Sequence, residues 1–192
     1  MEIEKLQNPD IRYLDDIKGV VFDAKWAESA ENRELYYMYR GVKSDGDLRY
    51  DITVIPAFLM GKEFVKTKGH YHCNDSQEVY SVLEGKAIFL FQKGKDEIED
   101  VYAVSANEGE SVVIPSGYGH ITINPDTKET LKLSNWVNES CISAYKPIED
   151  KKGACYFYTV EGWIKNNNYK SVPELRFEKP LLKEPEDLSF LK

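Results

Sequence analysis

Between residues 35 and 160 the chain is cut into short runs rich in aromatic and β-branched residues, each closed by Gly, Asn, Asp or Pro. Runs of this length and composition pack as strands, and their close spacing leaves no room for crossover helices between them. The runs 35–42 (LYYMYRGV) and 50–56 (YDITVIP) read as a hairpin around Ser44-Asp45-Gly46-Asp47. Further strands are expected at 78–83, 86–92, 97–104, 111–115, 120–124, 130–137 and 154–160. The pattern predicts an all-β antiparallel sandwich or small barrel. Helix is expected only at 24–34, with a short turn at 148–152. The tail from 166 carries Pro173, Pro180 and Pro185 and reads as an extended arm over the barrel or over a partner subunit. One domain is expected over 1–192: an N-terminal segment 1–34, a barrel core of about 35–160 and an arm 161–192.

Charge narrows the function classes. Lys plus Arg number 25 and Asp plus Glu 33, a net charge of −8, with no basic run to neutralise a phosphate backbone. Nucleic-acid binding is disfavoured, while a locally positive pocket for one anionic metabolite is not. Neither the start, Met1-Glu2-Ile3-Glu4-Lys5, nor any later stretch offers an apolar run fit for a signal peptide or membrane span, so a cytoplasmic protein is expected. Cys73, Cys141 and Cys155 are odd in number and lack CxxC spacing, which argues against a disulfide framework.

The three histidines carry the chemistry. His70 and His72 lie at i and i+2, which on a strand puts both imidazoles on one face. Glu78 follows six residues later, a loop-sized gap across which a hairpin can swing its carboxylate beside them. His120 closes the turn segment 115–120 (PSGYGH). Three imidazoles and one carboxylate suit a divalent metal and leave positions open to substrate. Cys73 adjoins His72, but alternation turns it to the opposite face, where it is an ordinary thiol.

This two-part arrangement, Gly and His-x-His with a following Glu, then Pro, Gly and a later His, resembles the signature of the cupin double-stranded β-helix. A more specific likeness lies in 61–72 (GKEFVKTKGHYH), which resembles the GKEF…TKGHxH run of the cupin-type phosphoglucose isomerases. The run 46–54 (GDLRYDITV), the segment 78–80 (EVY), the Gly85 turn, Glu108-Gly109 and 113–115 (VIP) are similar to that family as well, and the likeness extends over about 11–153. The resemblance implies a metal-dependent isomerase of glycolysis and gluconeogenesis that interconverts glucose 6-phosphate and fructose 6-phosphate, acting as a homodimer. It implies one divalent ion per subunit on His70, His72, Glu78 and His120, with Fe2+ ahead of Zn2+, Mn2+ or Ni2+. Glu78 and Tyr80 are the implied catalytic residues, and Thr53, Thr67 and Gly69 the implied phosphate contacts. Where the family has a tyrosine near the sugar phosphate, this chain has Trp136 or Val137, and it lacks a family histidine near Ser143, although Tyr145 matches.

Chemistry supports these assignments independently. Moving a hydrogen between C1 and C2 builds negative charge on the neighbouring oxygens, which a cation stabilises; a carboxylate base is needed where the hydrogen moves as a proton through an enediol, and a metal-assisted hydride shift stays open beside it. Lys66 and Lys68 are expected either to add charge at the phosphate end or to face solvent along a strand edge. Tyr71 is expected to pack away from the metal, and Tyr37 and Tyr39 are not assigned as ligands. Two other readings remain at this point: an iron-dependent cupin dioxygenase on the same four ligands, and a non-enzymatic sugar-phosphate-binding cupin.

Overall fold

A computed structural model describes residues 8–191; the five-residue start considered above lies outside them. The architecture is all-β. Strands β1 (Asp10–Tyr13), β2 (Glu34–Asp45), β3 (Leu48–Ile55), β4 (Leu59–Met60), β5 (Glu63–Phe64), β6 (Tyr71–His72), β7 (Glu78–Glu84) and β8 (Lys86–Lys93) form the first half. They are followed by β9 (Asp100–Asn107), β10 (Ser111–Ile114), β11 (Tyr118–Ile123), β12 (Leu131–Asn138), β13 (Ser143–Ala144), β14 (Tyr156–Thr159), β15 (Gly162–Lys165) and β16 (Arg176–Glu178). A six-stranded sheet of order β1-β2-β3-β12-β7-β10 faces a four-stranded sheet of order β11-β8-β9-β16, with β13 paired to β6 and a further four-stranded sheet of order β15-β14-β5-β4. Two facing sheets wound this way are the cupin double-stranded β-helix.

The packing explains the strand sequences. Phe89 and Phe91 on β8 point inward to a core shared with Leu35, Leu131 and Leu133, while Ile88 and Leu90 on the same strand point outward into a second cluster with Ile121, Cys155 and Tyr156. The outer face is covered because β14 and β15 fold over it. On the opposite sheet, Leu48, Ile52, Val54 and Trp136 form a third cluster capped by Leu191. Strands β8 and β12 are therefore buried on both faces, which removes the alternation a half-exposed strand would show. The tail lies along the barrel: β16 pairs in parallel with β9, Leu181 bridges Ser111, and Glu184 accepts a hydrogen bond from the Ser81 hydroxyl at 2.8 Å.

Several expected boundaries move. Helix α1 (Leu14–Ile17) and strand β1 precede the expected helix, and that helix itself, α2 (Ala24–Ser29), ends five residues early. The Ser29 hydroxyl donates back to the Lys25 and Trp26 carbonyls, Ala30 turns extended, and Glu34 already opens β2. The short turn near 148 is helix α3 (Lys146–Glu149). Strand β9 begins at Asp100 rather than 97 because Glu97 and Ile98 pair with Ser171 of the tail.

Candidate metal centre

The two histidine-bearing segments are joined directly by their backbones. The His70 N–H donates to the His120 carbonyl at 3.2 Å, and the His120 N–H to the His70 carbonyl at 3.0 Å. Such closeness explains the glycine before each histidine. Gly69 has φ +82, and a Cβ there would meet Ile121 Cγ1 at 2.5 Å. A Cβ on Gly119 would strike the Tyr71 ring at 2.5 Å. Tyr71, turned away from the histidine face as expected, is buried behind the site and takes a hydrogen bond from Gln92 Nε2 at 2.7 Å.

Within this frame the four expected ligands converge. One donor atom from each of His70, His72, Glu78 and His120 can be chosen so that all lie within 4.8 Å of one another. The His70 and His120 rings are 4.4 Å apart and the His72 and His120 rings 5.3 Å. Glu78 Oε2 sits 3.4 Å from His72 Nε2 and 3.6 Å from His120 Nε2, while Glu78 Oε1 accepts the Asn135 amide at 2.6 Å. His72 Nδ1 lies 2.8 Å from the Ser76 carbonyl. A carbonyl only accepts, so Nδ1 carries the hydrogen and Nε2 is left for a ligand.

Electrostatics and hydrogen bonding both fit a cation. Burial and the adjacent imidazoles hold His120 well below the ordinary histidine range and push His70 down to about 3. Burial opposes charging of His72 too, but hydrogen bonds to Cys141 and Glu78 outweigh it and push that group up to about 10. Both ring nitrogens of His120 are buried with no hydrogen-bond partner. Buried polar atoms are costly to leave unpaired, and a ring nitrogen aimed at a carboxylate and two more imidazoles is satisfied by a metal ion. Tyr80 shares the inner face of β7 with Glu78; burial and the Glu78 carboxylate raise its phenol well above 10, so it keeps its proton and remains a donor.

The donor set opens into a cleft that also contains Thr53, Thr67, Gly69, Lys68, Tyr80 and Tyr145. Thr67 is held by the opposite sheet, its Oγ1 accepting the Thr122 N–H at 3.0 Å. Lys68 lies at the cleft with its Nζ 2.6 Å from Glu149 Oε1. Lys66 takes neither role expected of it: it is buried on the far side, donating to the Val20 carbonyl at 2.8 Å and lying 3.6 Å from Glu63 Oε1. At the position of the two alternatives, Val137 faces the cleft and Trp136 turns outward onto Tyr50, with ring centroids 4.8 Å apart.

Comparison with known proteins places this architecture. The family model described as glucose-6-phosphate isomerase (GPI) matches residues 6–174 of the chain. This chain belongs to that family. It is 34% identical over 120 residues to a glucose-6-phosphate isomerase from Pyrococcus furiosus, covering 59% of this chain and 62% of that one, so it spans about three fifths of that relative's length. A second glucose-6-phosphate isomerase, from Thermococcus litoralis, is 33% identical over 130 residues, covering 65% and 67%. Among solved structures, a cupin-2 domain protein from Shewanella frigidimarina is 20% identical with a TM-score of 0.39, covering 63% of this chain and 95% of that one.

Four residues of this isomerase-family chain were not read from its sequence. Asn135 orients Glu78, Cys141 hydrogen-bonds His72, and Arg40 and Arg49 flank Asp51 in the cleft wall. The signal for Asn135 is its register: it stands opposite Asp51 on one side and Tyr80 on the other, so the inner face of Tyr80 is also its own. Among the described residues no helix is long and apolar enough to cross a membrane.

Proposed function

We propose that this chain interconverts glucose 6-phosphate and fructose 6-phosphate. The observation that carries the proposal is the convergence of His70, His72, Glu78 and His120 in a cleft that also holds Thr53, Thr67 and Gly69, in a chain of the glucose-6-phosphate isomerase family. A divalent cation held by those four residues, Fe2+ first and Zn2+, Mn2+ or Ni2+ after it, supplies Lewis acidity toward the sugar oxygens at C1 and C2 without redox.

The chain's own residues do the rest. The Glu78 carboxylate takes a proton from one carbon and returns it to the next, and the Asn135 amide keeps one of its oxygens fixed while it does so. Tyr80, which holds its proton, gives it to one sugar oxygen while taking the hydroxyl proton of the other, so the proton that passes between O2 and O1 is carried and the phenol ends as it began. The Thr53 and Thr67 hydroxyls and the Gly69 N–H hold the phosphate, and the buried walls exclude water from the reacting carbons. The barrel, N-terminal segment and arm act as one cytoplasmic domain that works as a homodimer. The test is a coupled assay of fructose 6-phosphate conversion with Fe2+, Mn2+, Ni2+, Co2+ or Zn2+ supplied in turn. Metal-dependent formation of glucose 6-phosphate is expected. Binding of sugar phosphate without turnover under every metal replaces the isomerase with a sensor.

A further inference from the structure

The neutral donors Thr53, Thr67 and Gly69 offer hydrogen bonds but no charge, and Lys68 in the same cleft is already paired with Glu149 at 2.6 Å. A phosphate dianion taken into a buried cleft needs counter-charge. The opposite wall supplies it. Arg40 follows Tyr36 and Met38 at alternate positions of β2, all three lining the cleft, and the register break with Gly41 at φ +63 comes just after it. Arg49, on β3, lines the same wall.

Asp51 clamps the two guanidinium groups. It is buried, accepts the Gly41 N–H at 2.8 Å and the Arg49 Nε at 2.9 Å, and takes Arg40 Nη1 at 3.2 Å. Arg40 Nε reaches Asp10 at 3.1 Å and Nη2 the Met38 sulfur at 3.4 Å. Each guanidinium has five N–H donors, more than these contacts occupy, so both retain donors for a ligand. The two cations face one buried carboxylate, Asp51, and one exposed carboxylate, Asp10, whose charge solvent screens, so the cleft side of this wall stays locally positive within a chain of net charge −8. Spacing also fits. Arg49 stands opposite Val137, which stands opposite Glu78, so the backbones of Arg49 and Glu78 are two strand spacings apart, about 10 Å. That is comparable with an open-chain hexose phosphate laid from its reacting carbons to its phosphorus.

We infer that Arg40 and Arg49, held by Asp51, are specificity-determining residues that receive the phosphate group of the substrate and admit phosphorylated over unphosphorylated sugars. The inference rests on the isomerase reading above. Arg40→Gln leaves Asp51 paired with Arg49 and Gly41, so the fold is retained; Arg40→Lys keeps the charge and loses the fork. The experiment measures kcat and KM for fructose 6-phosphate, inhibition by inorganic phosphate, and calorimetric binding of inorganic phosphate to wild type, Arg40→Gln, Arg40→Lys and Arg49→Gln. The expected result is a rise of about tenfold or more in KM and in the phosphate inhibition constant for each Gln variant, with kcat within about threefold and partial recovery in Arg40→Lys. Unchanged KM and phosphate affinity in an active enzyme overturns the inference and leaves the isomerase reading intact. A fall in kcat accompanied by a lower Tm, with phosphate affinity unchanged, assigns the arginines to holding the wall together and overturns it equally. If wild type shows no turnover the isomerase reading fails, and calorimetry decides this inference by itself: loss of inorganic phosphate binding in Arg40→Gln upholds an anion site, and retention removes it.

Discussion

Two buried glutamates on opposite sides of the same barrel show how differently a protein treats a charge it keeps for itself and one it holds for a ligand. Glu63 is enclosed by its own chain: Oε2 accepts the Phe22 N–H at 2.8 Å, Oε1 lies 3.6 Å from the Lys66 ammonium, and that ammonium is tied to the Val20 carbonyl. The pair pins the N-terminal segment to the barrel. Glu78 also has protein partners, but they include two imidazoles at 3.4 and 3.6 Å, and His120 among them keeps two buried ring nitrogens unpaired. Glu63 Oε1 lacks a hydrogen bond too, but it is sealed beside the Lys66 ammonium, whereas the His120 shortfall opens on a cleft with three other donors. Removing a partner should thus damage stability in the first place and chemistry in the second.

The largest effect is expected at Glu78. Glu78→Gln keeps the size and one oxygen but loses charge and basicity, so kcat should fall about 10²–10⁴-fold while the purified protein retains some metal and binds sugar phosphate. Steady-state kinetics beside metal analysis on one preparation reads both, and a near-native kcat with metal bound would shift the base assignment to Tyr80. At the other glutamate, Glu63→Gln still accepts the Phe22 N–H but weakens the contact with the Lys66 ammonium, and should lose at most about 1–2 kcal/mol in denaturant unfolding at about pH 8. Glu63→Gln with Lys66→Met should recover most of that loss, and neither variant should alter metal content. A Glu63→Gln variant that is fully stable but metal-free would invert the comparison.

Acidity separates the two regions as well. Burial pushes the Glu63 carboxyl up to about 7 from an ordinary 4.5. The native state therefore holds a proton that the unfolded chain releases across that window, and the stability this group contributes is full below about 4.5 and declines as pH rises toward 7. Melting curves from pH 4.5 to 8 should show that decline in wild type and a flatter profile in the Glu63→Gln, Lys66→Met pair. Parallel profiles would remove Glu63 as its source.

Smaller effects sharpen the site. Asn135→Ala frees one oxygen of Glu78 and should weaken metal binding about 10–100-fold, read by titration against a chelator. At the phosphate end, Thr67→Val is not a clean deletion, because it also strands the Thr122 N–H that Thr67 Oγ1 accepts. Thr53→Val should raise KM about tenfold with little change in kcat, and an unaltered KM would take Thr53 out of the phosphate contacts.

Sequence carried the ligands because their chemistry is local: a His-x-His on one face, a glutamate one loop away and a third histidine after a glycine turn. It did not carry Asn135, since β12 is buried on both faces and gives no alternation from which to read its inner side. Lys66 was misread for a related reason. Apart from isolated bridges of Lys66 to Ile123 and of His70 to His120, residues 65–70 form no regular strand, so alternation does not apply, and the burial of Lys66 depends on Val20 and Glu63. Arg40 keeps the alternation of Tyr36 and Met38, which line the same cleft, but which face of β2 turns inward is set by its pairing with β3 and not by local sequence. The late start of β9 follows from pairing with a distant segment of the tail, which no local propensity encodes.

The central claim is that four converging side chains make this cleft a metal-dependent isomerase site. Metal-stripped protein titrated with Fe2+ while fructose 6-phosphate conversion is followed tests it most directly. The account predicts activity that rises linearly and breaks at one equivalent per chain, with no activity at any ratio in the His70→Ala, His72→Ala double variant. Full turnover in the stripped protein, or a double variant that still binds one equivalent and turns over, would contradict it.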